Sequence, residues 1–293
     1  MKIKISAPAK INLYLEIKEK RADGYHNLES IMQTVGLYDE ITVEDARGGI
    51  LLECDNPALP SDGSNIAYKA AAAVRDKFSI KKGVKITLKK NIPAGAGLGG
   101  GSSDAAAVIK ALVRLWNIKV QKPELEKTAA ALGADVAFFL TGGTALCEGK
   151  GEVVTPLADM PEMPILLVNP GFGVPTRSVY EKVKFPLTKP RKIHKIKKLI
   201  CSGSFNKNNA LKYCFNRLEE FVFPEYPEIA KIKSIMADLG CASFMSGSGA
   251  TVFGIFGSES QSETIKSKLR EYYRNTWTVY PVKYNQPDAV EER

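Results

Sequence analysis

Pro93-Ala94-Gly95-Ala96-Gly97-Leu98-Gly99-Gly100-Gly101-Ser102-Ser103-Asp104 runs between a strand-like segment, 84–89, and an alanine-rich helix. A glycine-dense loop that opens a helix can fold its backbone N–H groups around an anion. Glycine permits the close approach, and the helix start adds unpaired donors and partial positive charge. Phosphate is the usual guest of such a site. The match of Gly95-x-Gly97-x-x-Gly100 to the dinucleotide fingerprint is weak. The helix leads into Lys122-Pro123-Glu124, a second helix start, where that fold needs a parallel strand ending in an acid. No Gly-Lys-Ser/Thr follows the glycines, which excludes the P-loop. Neither His-Arg-Asp nor Asp-Phe-Gly occurs, which excludes a protein kinase. A ligand-free surface turn is the plain alternative, and three consecutive glycines make it entropically costly.

Upstream of the loop, residues 1–17 alternate. Ile3, Ile5, Ala7, Ala9, Ile11, Leu13, Leu15 and Ile17 share one parity, and Lys10, Asn12 and Glu16 share the other. Period two predicts one strand, or two short ones broken at Pro8, with one face on the core. Further strands are predicted at 41–44, 50–53 and 84–89. Helices are predicted from Ser64, read as an N-cap, to about Phe78, then at 102–116 and 123–132. Pro161-Glu162-Met163-Pro164 reads as a junction between domains 1–160 and 161–293. Beyond it the order is strand 165–169, helices 176–183 and 227–239, strands 242–245 and 251–256, helix 259–273 and strand 276–282. That order resembles a split βαβ domain, and the whole reads as α+β.

The chain has 293 residues and a formal net charge of +9, with ordinary apolar and charged fractions. Much of the excess charge lies between Lys182 and Lys198. That stretch lacks interleaved aromatics and matches no nucleic-acid module, so no nucleic-acid partner is expected. Five scattered cysteines imply neither a disulfide framework nor a zinc site. With no secretory pattern and no apolar run of about 20 residues, the expectation is a cytoplasmic protein with no membrane span.

Four features could carry chemistry, each beside a plainer reading. Asp135, in Gly133-Ala134-Asp135-Val136, could cap the short helix that follows or act as a positioned base. Lys10 could be solvated or could neutralise phosphate charge. Arg21-Ala22-Asp23-Gly24-Tyr25-His26 could be a simple turn or a substrate loop in which Tyr25 and His26 stack and hydrogen-bond. Ser246-Gly247-Ser248-Gly249-Ala250-Thr251 could be a tight hairpin or a second anion nest.

Together these blocks resemble the GHMP kinase superfamily. The resemblance rests on Ala7-Pro8-Ala9-Lys10-Ile11-Asn12-Leu13, the Asp23-Gly24-Tyr25-His26 block, Gly99-Gly100-Gly101-Ser102-Ser103-Asp104, Gly133-Ala134-Asp135-Val136 and the Ser246–Thr251 loop, in order over nearly the whole chain. It implies an S5-domain-2-like N-terminal domain, a ferredoxin-like split βαβ C-terminal domain, and an active site in the cleft between them. It implies ATP-dependent phosphorylation, with Mg²⁺ expected alongside ATP. The branch it resembles acts on the 2-hydroxyl of a cytidine diphosphate-linked methylerythritol, in the non-mevalonate route to isoprenoids. Asp135 would be the base and Lys10 its partner. Residues 93–103 (Pro93, Ala94, Gly95, Ala96, Gly97, Leu98, Gly99, Gly100, Gly101, Ser102, Ser103) would hold the triphosphate, with Asn65 near adenine. Asn12, Tyr25, His26 and Tyr180 would bind the acceptor, Tyr180 by stacking on cytosine. Ser102 or Ser103 would help ligate magnesium, whose remaining ligands are unassigned. Asp104 is expected to point away from the phosphates. The protein would act as a monomer or homodimer. Ala137 and Ala250 stand where the family usually has proline, and 189–198 has no assigned counterpart.

Overall fold

A computed structural model describes residues 1–187 and 193–283, and the backbone of 289–292. The basic stretch 189–198 therefore lies partly outside the described residues. The first strand, β1 (Lys2–Lys20), and β2 (His26–Ala46) form one long antiparallel hairpin. Pro8 does not break β1. The register shifts between Pro8 and Ala9 and twice more downstream, and these bulges absorb it. The predicted strand at 41–44 is only the last part of β2. Between 30 and 35 both faces of β2 are buried, so no alternation marks it.

Next come β3 (Ile50–Cys54), α1 (Ile66–Lys77), β4 (Gly83–Lys89), α2 (Gly100–Leu115), α3 (Lys122–Leu132), α4 (Ala134–Thr141), β5 (Thr144–Gly149) and β6 (Val153–Pro156). The strands extend the hairpin into a mixed sheet in which β4 follows β2, β3 edges β4, and β5 pairs with β2 and β6. The apolar face of α2, with Ala105, Val108, Ile109 and Leu112, packs on this sheet with α1 and α4. The cap of α1 is Asn65, not Ser64. Asn65 Oδ1 accepts from the Ala67 N–H at 2.9 Å, while Ser64 Oγ donates to Asp62. The glycines Gly100 and Gly101 belong to α2, which starts two residues before the predicted boundary.

The second half contains β7 (Ile165–Asn169), α5 (Thr176–Glu181), α6 (Ile193–Cys201), α7 (Lys207–Tyr213), β8 (Phe215–Asn216), α8 (Glu219–Val222), α9 (Pro227–Asp238), β9 (Ala242–Met245), β10 (Val252–Ile255), α10 (Glu259–Arg270), β11 (Asn275–Val279) and β12 (Ala289–Glu292). Four strands form an antiparallel sheet in the order β11-β7-β10-β9, as a split βαβ domain requires. The halves interlock. Both β8 and β12 pair with β1, and Val35 bridges to Pro281. Successive stretches of β1 enter three cores: Ile3 to Ala7 the first, Ala9 to Leu13 the second, Leu15 and Ile17 the third.

Candidate active site

The glycines at 95, 97 and 99 take φ of +63°, +76° and +72°, a region that side-chain-bearing residues rarely enter. At Gly97 a Cβ would fall 2.1 Å from the Ser246 carbonyl oxygen, so the loop touches the β9–β10 turn backbone to backbone. Two further bonds seal that contact. Ser246 Oγ donates to Gly97 O at 2.9 Å, and the Thr251 N–H donates to Ala96 O at 3.1 Å. Gly99 caps α2, and a Cβ there would press on the Phe139 ring and on Lys10 Cγ. The first turn of α2 therefore opens, with its free N–H groups, onto a cleft of about 1140 Å³.

Most of the phosphate-loop residues line this cleft: Pro93, Ala94, Gly95, Ala96, Gly97, Gly99, Gly100, Gly101 and Ser102. Leu98 instead turns into the core, where its carbonyl accepts the Lys10 N–H at 2.9 Å. Ser103 is also buried, and its Oγ has no partner. Asn65 lies on the same wall.

Deeper in, Lys10 is 4% exposed despite its polar parity, with Gly99, Asp135 and Gly247 close around its side chain. Its Nζ donates to Asn12 Oδ1 at 2.8 Å. Asn12 Nδ2 donates to Ser30 Oγ at 2.9 Å, and Ser30 Oγ to Tyr14 O at 2.7 Å. This relay fixes the ammonium 3.7 Å from Asp135 Oδ2 in the first turn of α4. The Asp135 carboxylate is about one-third exposed and lines the cleft.

The far end of the cleft is aromatic. Tyr25 stands exposed at the β1–β2 turn with Lys150 Nζ 4.8 Å from its ring centre. His26 is buried, with ring centroids 5.7 Å from Tyr180 and 6.0 Å from Phe185. Its Nε2 has no partner. Burial and the charge of Lys20 hold the imidazole below its usual pKa, so it is neutral at pH 7. Burial and the nearby Asp135 charge push the Tyr180 phenol up, so it stays protonated.

Asp104 turns toward Lys90, which also holds Asp39. Asp39 Oδ1 accepts the N–H groups of Asn91 at 2.6 Å and Ile92 at 2.9 Å. The triad thus fastens β2, the loop entrance and α2 together beneath the glycines. Burial raises the Asp104 carboxyl, with Asp39 adding to the rise and Lys90 opposing it. Sequence reading missed Lys90, Asp39, Ser30, Lys150 and Phe185. A lysine three residues before the loop was the one available signal. The others gather through β2, the β5–β6 turn and the segment after α5, which carry no local pattern.

Residues 65–143 match the family of GHMP kinases N terminal domain, and residues 196–275 match GHMP kinases C terminal. A 4-diphosphocytidyl-2-C-methyl-D-erythritol kinase of Clostridium botulinum (strain Eklund 17B / Type B) is 43% identical over 273 residues, covering 92% of this chain and 96% of that one. The Bacillus cereus (strain B4264) enzyme of the same name is 39% identical over 95% of this chain and 96% of its own. A crystal structure of 4-(cytidine 5'-diphospho)-2C-methyl-D-erythritol kinase superposes with a TM-score of 0.80 at 36% identity, over 95% of this chain and 98% of that one. At 17% identity, L. major mevalonate kinase in complex with R-mevalonate shares the fold, with a TM-score of 0.70 over 97% of each chain. No helix among the described residues is long and apolar enough to cross a membrane.

Proposed function

Because the chain belongs to the GHMP kinase family, among the 4-diphosphocytidyl-2-C-methyl-D-erythritol kinases, we propose that it transfers the γ-phosphoryl group of ATP to the 2-hydroxyl of 4-diphosphocytidyl-2-C-methyl-D-erythritol. The products are ADP and the 2-phosphate, on the non-mevalonate route to isoprenoids. The observation that carries this reading is the Lys10–Asp135 pair, 3.7 Å apart, in one cleft lined by both the glycine cradle and the aromatic residues Tyr25, His26 and Tyr180.

Asp135 takes the proton of the acceptor hydroxyl as its oxygen attacks phosphorus and the bond to the ADP oxygen breaks. Lys10, aimed by Asn12, holds Asp135 in place and offers its remaining N–H donors to the charge that develops. The N–H groups of Gly100, Gly101 and Ser102 hold the phosphates. Tyr180 and Tyr25 stack on cytosine, and the unpartnered His26 Nε2 meets its polar edge. Asn65 lies on the wall assigned to adenine.

Among the described residues no group of three or more His, Cys, Asp or Glu could hold a metal. Mg²⁺ would fit this site as an ion carried mainly by phosphates and water, with Ser102, which lines the cleft, as the protein ligand, whereas the Ser103 hydroxyl is buried outside the lining. Bound there, it would shield phosphate charge from the incoming oxygen.

The test is ADP release from ATP and Mg²⁺ with the cytidylated acceptor, against uncytidylated methylerythritol 4-phosphate. Turnover with the first alone supports the reaction and the aromatic recess. Binding of ATP without turnover of either refutes the acceptor.

A further inference from the structure

Asn216, in the two-residue strand β8, makes three buried hydrogen bonds. Its Nδ2 donates to Met245 O at 2.8 Å and to Gly247 O at 2.7 Å, and its Oδ1 accepts the Leu218 N–H at 2.9 Å. Both donors of the amide therefore go to the start of the β9–β10 turn. Its support is rigid. In parallel pairing β8 lies beside Tyr14 and Leu15, and the Arg217 N–H donates to Leu15 O at 2.9 Å. The Arg217 guanidinium grips both carboxylate oxygens of Glu16, at 2.7 and 2.8 Å. Asn216 is thus anchored to the same strand that carries Lys10 and Asn12.

What this does follows from peptide geometry. The Gly247–Ser248 bond is trans, so its C=O and N–H point in opposite directions. With the carbonyl of Gly247 turned onto Asn216, the N–H of Ser248 is turned the other way, and both Gly247 and Ser248 line the cleft. The peptide lies close to the reacting groups. A Cβ on Gly247 would fall 3.1 Å from Lys10 Nζ. The turn has other ties. Those from Ser246 to Gly97 and from Thr251 to Ala96 act on its ends. The Gly249 N–H donates to Ser246 O at 2.9 Å across this peptide, and Ser248 Oγ shares a hydrogen bond with Thr176 Oγ1 at 2.9 Å. Asn216 is the side chain that holds the Gly247 carbonyl itself.

We infer that Asn216 is a positioning residue for phosphoryl transfer, holding Gly247 so that the Ser248 N–H meets the anionic oxygens reacting beside Lys10. The inference rests on the kinase reading above. An amide suits this place because it offers two donors without charge. A carboxylate of the same shape would face two carbonyl oxygens.

The experiment compares the intact protein with Asn216→Asp and Asn216→Ala, in ADP release from ATP and the cytidylated acceptor and in thermal melting. The expected result is a fall in kcat of about 10²-fold in both variants, the scale of one lost preorganised donor. The KM for the cytidylated acceptor, bound at the other end, should stay within about twofold. Should Asn216→Asp fail to fold, Asn216→Ala carries the comparison. In ¹⁵N-labelled protein the Ser248 amide signal should move when a non-hydrolysable ATP analogue and the acceptor are added, and should not move in Asn216→Ala. An unchanged kcat in folded variants overturns the inference. So does an activity loss that only tracks the folded fraction while the Ser248 signal still responds. If the intact protein binds ATP but leaves the cytidylated acceptor untouched, the kinase reading fails instead.

Discussion

The two ends of the cleft are built from different materials. At the glycine end the wall is mostly backbone: three glycines at positive φ, the first turn of α2 and the β9–β10 turn, in backbone contact at Gly97 and Ser246. At the aromatic end the wall is side chain: Tyr25, His26 and Tyr180, brought from the hairpin turn and α5, with Phe185 stacked on His26. Backbone donors suit a group common to all nucleotides, whereas stacked rings and one neutral imidazole suit a particular base. The Lys10–Asp135 pair sits where the two meet, so damage at either end should show in a different kinetic constant.

The largest effect is expected at the junction. Asp135→Asn should lower kcat by about 10²- to 10⁴-fold, the range for a lost general base, with ATP still bound in a direct titration. Normal turnover would show that the two ends suffice without a base. Next is the backbone wall. Gly97→Ala places a Cβ 2.1 Å from Ser246 O at a φ of +76°. Strain of about 1–3 kcal/mol should weaken ADP binding by about 5- to 150-fold, read by calorimetry. Unchanged ADP affinity would mean the glycine contact does not shape the cradle. At the side-chain wall, Tyr180→Ala should cost about 1–3 kcal/mol of stacking, read as a raised KM for the cytidylated acceptor with KM for ATP unmoved. Equal shifts in both would erase the division of labour.

The smallest effect lies beneath the glycines. The Asp104 carboxyl titrates above its unfolded value, so its protonated form is the one that folding favours. That contribution is full below the usual carboxylate range, near pH 4, and is lost as pH rises through the folded value. Asp104→Asn removes the term. Its melting temperature should therefore gain on the intact protein as pH rises from about 4 toward neutrality. A constant gap would mean that Lys90 keeps Asp104 ionised throughout.

The glycine wall was legible because its geometry is local. Glycine spacing, the helix start and the parity of residues 3–17 are all read within one element. The motif blocks gave the fold class and the pair Lys10 and Asp135, although local residues alone left both with plainer roles. What escaped has no local signature. In β2 both faces are buried from 30 to 35, so alternation disappears. Two residues make up β8, and its meaning comes from what it touches, as with Asn216. Lys90, Asp39 and Asp104 look like ordinary charges in the sequence and become a triad only when β2, the loop and α2 converge.

The threading of β1 through all three cores bears on how the chain is made. Its hairpin partner β2 leaves the ribosome at once, and the two can pair early. Its contacts with β8 and β12, and the second and third cores that it enters, need residues synthesised after position 160. The nascent strand therefore carries Ile11, Leu13 and Leu15 uncovered until most of the chain has emerged, a long interval in which to meet a chaperone or a neighbouring chain.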